Sequence, residues 1–90
     1  MEVKFFAAYR DVTGSRSETL PAQTDVLALL RLVAERWPDL RAQLLTPDGG
    51  DLGKDAIVMV NGRHITHLQG VTTPLTEQDV VALFPVVAGG

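Results

Sequence analysis

Hydrophobic and polar positions change period several times along the chain, and each change marks an element. Val3, Phe5 and Ala7 alternate with Lys4, Phe6 and Ala8, which predicts a strand with one clearly apolar face. Asp11-Val12-Thr13-Gly14-Ser15 reads as a turn, with Gly14 free to take positive φ. Ser17-Glu18-Thr19-Leu20 is a short second strand ended by Pro21, and the two strands form a hairpin. The period then lengthens. Val26, Leu29, Leu30, Val33 and Trp37 fall on one helical stripe, with Arg31, Glu35 and Arg36 mainly on the other side. Thr24 or Asp25 is placed to cap this helix, and Pro38 disfavours helical geometry at Trp37. Leu27 and Leu32 lie off the main stripe, so one of them is expected to be partly exposed.

Leu40 to Leu45 suggests a short helical turn, and Thr46 to Gly53 a loop whose internal Gly49-Gly50 serves only the turn. Ala56 to Val60 is a strand. Asn61-Gly62 is a strong two-residue hairpin signal of type I′, with Arg63-His64-Ile65 as the return strand. Gln69 to Pro74 is loop, and Leu75 to Asp79 leads into the last strand, Val80 to Phe84. The order β-β-α-β-β-β implies an α+β fold. A mixed sheet of about five strands carries one main helix on one face. Val81 and Leu83 share one face of the last strand, and Val80, Ala82 and Phe84 the other. If the first pair meets the helix, then Phe84 points to the uncovered face. The same argument puts Val3 and Phe5 inside and Phe6 outside. Phe6 and Phe84 together would form a partner-binding patch.

Composition narrows the functions open to such a domain. Ninety residues make one small domain, with 46% hydrophobic and 21% charged residues. No apolar run is long enough to span a membrane, and Glu2 after Met1 begins no secretory signal, so the expected location is the cytoplasm. The net charge is −3 and the eight basic residues are scattered, which argues against a nucleic-acid partner. With no cysteine there is no disulfide, thiolate metal site or thiol nucleophile. His64 and His67 read as surface histidines rather than metal ligands. Asp48, Asp51 and Asp55 lack the spacing of a calcium loop, and Lys4 and Lys54 read as solvated. A self-contained enzyme is therefore not expected, and neither is a bound cofactor or metal.

The closing Phe84-Pro85-Val86-Val87-Ala88-Gly89-Gly90 carries the chemistry. Gly-Gly arises at a terminus by chance roughly one time in 200, given ordinary glycine usage. Pro85 has no N–H and is expected to mark where the strand leaves the sheet, dividing a domain of residues 1–84 from a flexible tail, 85–90. The six steps from Phe84 to Gly90 reach roughly 20 Å when extended. Gly89 and Gly90 have no Cβ, so a partner can surround the main chain closely. The Gly90 α-carboxylate is the expected reactive group, with Pro85, Val86, Val87, Ala88 and Gly89 as the recognised tail.

Nearly the whole chain resembles the small subunit of molybdopterin synthase and the ubiquitin-like small archaeal modifiers. The likeness rests on Val3-Lys4-Phe5-Phe6-Ala7 followed by Gly14, and on Trp37-Pro38-Asp39-Leu40. It rests also on Val58-Met59-Val60-Asn61-Gly62 and on the closing Ala82-Leu83-Phe84-Pro85-Val86-Val87-Ala88-Gly89-Gly90. Val86 stands where a second proline is usual, and Gln78-Asp79 where Gly-Asp is frequent. The resemblance implies a β-grasp, ubiquitin-like fold. It implies that an adenylating enzyme of the ubiquitin-activating type uses ATP on the C-terminal glycine, after which sulfur replaces AMP to give a thiocarboxylate. It also implies a second partner, the large subunit of molybdopterin synthase, which receives the tail and the sulfur. ATP, magnesium and acid–base groups belong to the partners.

Three other uses of the same terminus stay open. The adenylate could pass to lysine amines, making the chain a protein modifier. The sulfur could go to tRNA or to a tungsten-pterin cofactor. The Gly-Gly could be incidental to a non-catalytic interaction domain.

Overall fold

The computed structural model describes residues 1–86. The strands are β1 (Glu2–Phe5), β2 (Ser17–Thr19), β3 (Ala56–Val60), β4 (Arg63–His64) and β5 (Val80–Pro85). The helices are α1 (Ala8–Thr13), α2 (Val26–Arg36) and α3 (Arg41–Leu44), with 3-10 turns at Pro38–Leu40, Ile65–His67 and Gly70–Thr72. One sheet runs in the order β2-β1-β5-β3-β4. The chain's two ends meet in its centre, where β1 and β5 pair in parallel, and the other pairings are antiparallel. This is the mixed five-stranded sheet of a β-grasp fold.

Alternation sorts the sheet residues as the sequence pattern implies. Val3 and Phe5 of β1, Val58 of β3, and Val81 and Leu83 of β5 are fully buried. They meet Val26, Leu29, Leu30, Val33 and Ala34 of α2 in one core. Asp25, rather than Thr24, caps α2, with its Oδ1 accepting the Ala28 N–H at 2.9 Å. The helix stops at Arg36. Trp37 keeps one last bond to the Val33 carbonyl, and Pro38 opens the 3-10 turn. Trp37 is half-buried and meets the Phe5 ring edge-on at 5.2 Å. Leu27 and Leu32, off the main stripe, are both partly exposed and pack against the edge of the core.

Three departures from the sequence reading matter. First, β1 ends at Phe5. Ala7 takes φ 53° and turns the chain into α1, where a continuing strand and an open turn were expected. Tyr9 drives this change, because its ring is completely buried and the segment must coil to bring it inward. Gly14, in the left-handed region, closes α1 with its N–H on the Arg10 carbonyl. α2 is the one main helix, the short α3 falls within the helical turn expected at Leu40 to Leu45, and α1 is the added helix, so that the fold holds about three helices in all. Second, Ile65 leaves the return strand for a 3-10 turn, which carries its side chain into the core. Third, the last strand continues through Pro85, which pairs with Ala56. Successive N–H groups of a strand point to opposite sides, and the Val86 N–H bonds the Asp55 carbonyl of the β3 side. The position without an N–H at Pro85 therefore faces the β1 side, where β1 has already turned away, and the ladder loses nothing.

Asn61 and Gly62 both take positive φ, 51° and 83°, as a type I′ turn requires. Asn61 also ties the hairpin to β5. Its Nδ2 donates to Asp79 at 2.8 Å and its Oδ1 accepts the Val80 N–H at 2.9 Å.

Candidate docking face and tail exit

The face of the sheet away from α2 carries the other half of each alternation. Residues paired directly across strands share a face. Lys4, Ala82, Met59 and His64 therefore form one row across it, and Phe84 and Ile57 lie side by side in the next. Phe6, just beyond β1, donates its N–H to the Leu83 carbonyl and stands next to Phe84. The two rings stack, with centroids 4.3 Å apart and planes 13° from parallel. Both are half-buried, as are Ile57, Met59 and Ala82. The two phenylalanines are thus one flat apolar platform. Its rim holds a cation the sequence reading did not connect with it. The Arg10 guanidinium lies 5.8 Å from the Phe6 ring centroid, and its Nε reaches the Phe5 carbonyl at 3.4 Å. Arg10 reaches this place only because residues 8–13 are helical, which the alternating pattern of residues 3–8 concealed.

The strand that carries Phe84 also carries the start of the tail. Pro85 is half-buried in the sheet, and Val86 is 49% exposed. The Asp55 carbonyl holds the Val86 N–H at 2.9 Å, and the Tyr9 hydroxyl lies 3.5 Å from the same oxygen. Burial, reinforced by the Asp55 charge, pushes the Tyr9 phenol up to about 12. The exit of the tail is therefore set by a fixed backbone carbonyl and a buried phenol. The tail positions Val87, Ala88, Gly89 and Gly90 lie outside the described residues.

The remaining polar groups have local structural uses. His64 Nδ1 accepts the Thr66 N–H at 3.2 Å, and the His64 and His67 rings are 6.5 Å apart. Asp48 receives the Thr46 hydroxyl and the Gly50 N–H, which hold its carboxyl below the usual range. Asp51 accepts the Leu52 N–H. These aspartates shape their own loop. Among the described residues no group of three or more His, Asp or Glu side chains could hold a metal ion. No helix of the described residues is long and apolar enough to cross a membrane.

Comparison with known proteins gives this geometry a family. The model of the ThiS family matches residues 3–90. The small archaeal modifier protein 3 of Haloferax volcanii is 34% identical over 92 residues, taking in 100% of this chain and 98% of that protein. The solution structure of small archaeal modifier protein 1 from Methanosarcina acetivorans superposes with a TM-score of 0.84 at 29% identity, covering 99% of this chain and 94% of that one. A putative molybdopterin converting factor subunit 1 from Pyrococcus furiosus gives a TM-score of 0.73 at 27% identity, covering 96% and 95%.

Proposed function

The chain belongs to the ThiS family of ubiquitin-like sulfur carriers and modifiers, and from that premise we propose that it carries sulfur on Gly90 as the small subunit of a molybdopterin synthase. The observation that carries this reading is the family match itself, which runs to residue 90 and so takes in Gly89-Gly90. The likeness to the molybdopterin converting factor subunit of Pyrococcus furiosus supports the choice of acceptor.

The chemistry follows from the carboxylate. Its negative charge repels nucleophiles, and oxide is a poor leaving group. Attack of a carboxylate oxygen on the α-phosphorus of ATP releases pyrophosphate and leaves an acyl-adenylate, whose acyl group no longer carries the carboxylate charge and whose leaving group is AMP. Hydrosulfide, sulfur at the sulfide level, then displaces AMP at the acyl carbon, and the terminus becomes a thiocarboxylate. The thiocarboxylate sulfur forms a C–S bond to the pterin precursor, water cleaves the acyl–sulfur bond, and the carboxylate returns for another cycle. A Cβ on the last residue would crowd the acyl carbon during attack, which explains glycine at that position. The carrier supplies a handle and a narrow tail, and the adenylating enzyme and the large synthase subunit supply the catalytic groups. In this reading the Phe6–Phe84 platform is where those partners grip the handle.

A second reading has its own support. The 34% identical relative from Haloferax volcanii is a modifier protein by name, and it matches the chain from end to end. The same adenylate, captured by a lysine amine, gives an isopeptide bond through Gly90. Intact-mass analysis of the protein purified from its own host separates the two. Sulfur in place of one terminal oxygen is the expected result for the carrier. Gly90 joined to lysines of other chains, with no thiocarboxylate, would replace the first reading with the second.

A further inference from the structure

We propose that the Asn61-Gly62 turn is a site of spontaneous deamidation, and that the carboxylate it produces breaks the lock between Asn61 and Asp79 that ties the β3–β4 hairpin to β5. The site lies where β5 begins, at the end of the strand opposite the tail exit, and its chemistry is independent of what Gly90 carries.

The reaction needs only water and an accessible backbone nitrogen. Base removes the Gly62 amide proton, and the nitrogen attacks Cγ of Asn61. A new N–C bond closes a succinimide ring, and the side-chain amide leaves as ammonia with a proton returned to it. Water then opens the ring at one of its two carbonyls, giving aspartate or isoaspartate. Net, one water enters and one ammonia leaves.

The structure leaves this nitrogen open. Asn61 and Gly62 are both exposed, and a Cβ on Gly62 would meet nothing within 4 Å. Among the described residues the Gly62 N–H has no hydrogen-bond partner. β4 holds two residues at the edge of the sheet, so the turn can open without unfolding the core. The other acidic or amide residue in a turn before glycine, Asp48, shows the contrast. Gly49 after it is buried, and its N–H is bonded to the Thr46 carbonyl at 2.8 Å. A brake exists at Asn61 too, because its Nδ2 and Oδ1 are held by Asp79 and by the Val80 N–H. Both bonds must break before Cγ can meet the nitrogen.

The same bonds decide what the product does. Deamidation replaces the Nδ2 donor with a carboxylate oxygen, at a place 2.8 Å from Asp79 Oδ1. Asp79 accepts the Thr76 N–H at 2.7 Å through its other oxygen, so it cannot turn away without losing that bond. Arg63 lines the same hollow but is exposed, and it offsets a second carboxylate only weakly. Isoaspartate also adds a carbon to the main chain, beside the Asn61 N–H that bonds the Val80 carbonyl at 2.8 Å. Either product loosens the start of β5 and leaves the platform and the tail untouched.

Peptide mapping by mass tests the site, on the full-length chain aged in warm, mildly alkaline buffer with and without urea. Asn61 is the sole asparagine, so an amide-to-acid mass gain in its peptide is easily assigned. Conversion in the folded chain should run on the order of tenfold to a hundredfold slower than in urea, the cost of releasing two hydrogen bonds. A slowing of about a thousandfold or more would mean that the reaction waits for global unfolding, and the native site would be struck out. Asn61→Asp tests the product without ageing. It should raise the unfolding equilibrium constant on the order of tenfold in urea titration. Adding Asp79→Asn returns one donor to the pair and should recover most of that loss. An unchanged constant in Asn61→Asp, or no recovery in the double variant, would overturn the broken lock.

Discussion

Phe6 and Phe84 stack nearly parallel on the open face of the sheet, 4.3 Å between centroids, although they come from opposite ends of the chain. The parallel β1–β5 pairing places them there. A stacked pair couples energetically, so a double-mutant cycle of Phe6→Ala and Phe84→Ala should show an interaction of about 0.5–1.5 kcal/mol in urea unfolding. Each single variant should remain folded, since both rings are half-exposed and neither belongs to the core. Adenylation should suffer more than stability in both. Strictly additive unfolding energies would show that the rings do not support one another.

Tyr9 offers a direct optical reading of the tail exit, because it is the only tyrosine in the chain. Its phenol is raised to about 12 by burial and by the Asp55 charge. A folded pKa above the unfolded value near 10 means that the native state holds its proton longer. Stability from this group is therefore fully present below about pH 10 and declines as pH rises toward 12. Tyrosinate absorbance should titrate near 12 in the folded protein and near 10 in urea. Tyr9→Phe should remove this part of the alkaline loss. A folded midpoint near 10 would mean that the ring is solvated.

Asn61 combines two demands in one residue. It takes positive φ, and its side chain joins Asp79 to the Val80 N–H. Asn61→Ala should cost about 1–2 kcal/mol, from left-handed strain and two lost hydrogen bonds. Asn61→Gly relieves the strain and loses only the bonds, so it should fall between Ala and the native residue. Asp79 is held low first by Asn61 and then by the Thr76 N–H. A lowered carboxyl contributes stability above the ordinary carboxylate range and loses it as pH falls through the folded value. Because Asp79 is only partly buried, the acid limb should flatten only slightly in Asn61→Ala. Equal stabilities for the Gly and Ala variants would remove the strain argument.

Gly53 is required for close approach. Its N–H bonds the Leu44 carbonyl at 2.9 Å, and a Cβ there would collide with the Gln43 carbonyl. The obstacle is backbone, so it cannot swing aside. Gly53→Ala should destabilise by about 1–3 kcal/mol, measured by chemical unfolding. Gly50→Ala is a suitable control, since a Cβ there meets only ordinary contacts with the Asp48 side chain. Similar losses at both positions would point to loop entropy rather than collision.

The legible parts of this fold are those in which a single period governs a long enough segment. The stripe from Val26 to Val33, the alternation of Ala56 to Val60 and the Asn61-Gly62 turn each state their structure locally. The outward placement of Phe6 and Phe84 follows from counting along their strands. Local pattern failed where a tertiary anchor governs. Residues 3–8 alternate like a strand, yet the burial of Tyr9 coils the chain from Ala8 and so brings Arg10 to the platform. Gly14 as a helix C-cap was the available signal, but one glycine also suits an open turn. Pro85 misled in the opposite direction, because its tolerance depends on a neighbouring strand that ends earlier. The ring stacking itself could not be read before the parallel pairing was known.

Removing Gly90 divides the two halves of the molecule's task. The described core is complete by Val86, with the last ladder bond made from its N–H to the Asp55 carbonyl. A truncated chain ending at Gly89 should therefore unfold at the same urea concentration as the full chain, since terminal residues contribute little to a core. It should still compete with the full chain for the adenylating enzyme, because the Phe6–Phe84 platform is unchanged. Turnover should be lost, because the carboxylate now stops one residue, roughly 3.5 Å, short of the phosphorus it must attack. Inhibition without turnover is the signature of an intact handle with a terminus that falls short. Full activity in the truncated chain would move the reactive group away from Gly90 and favour an interaction domain with an incidental Gly-Gly. Loss of both competition and turnover would assign docking to the tail itself rather than to the sheet.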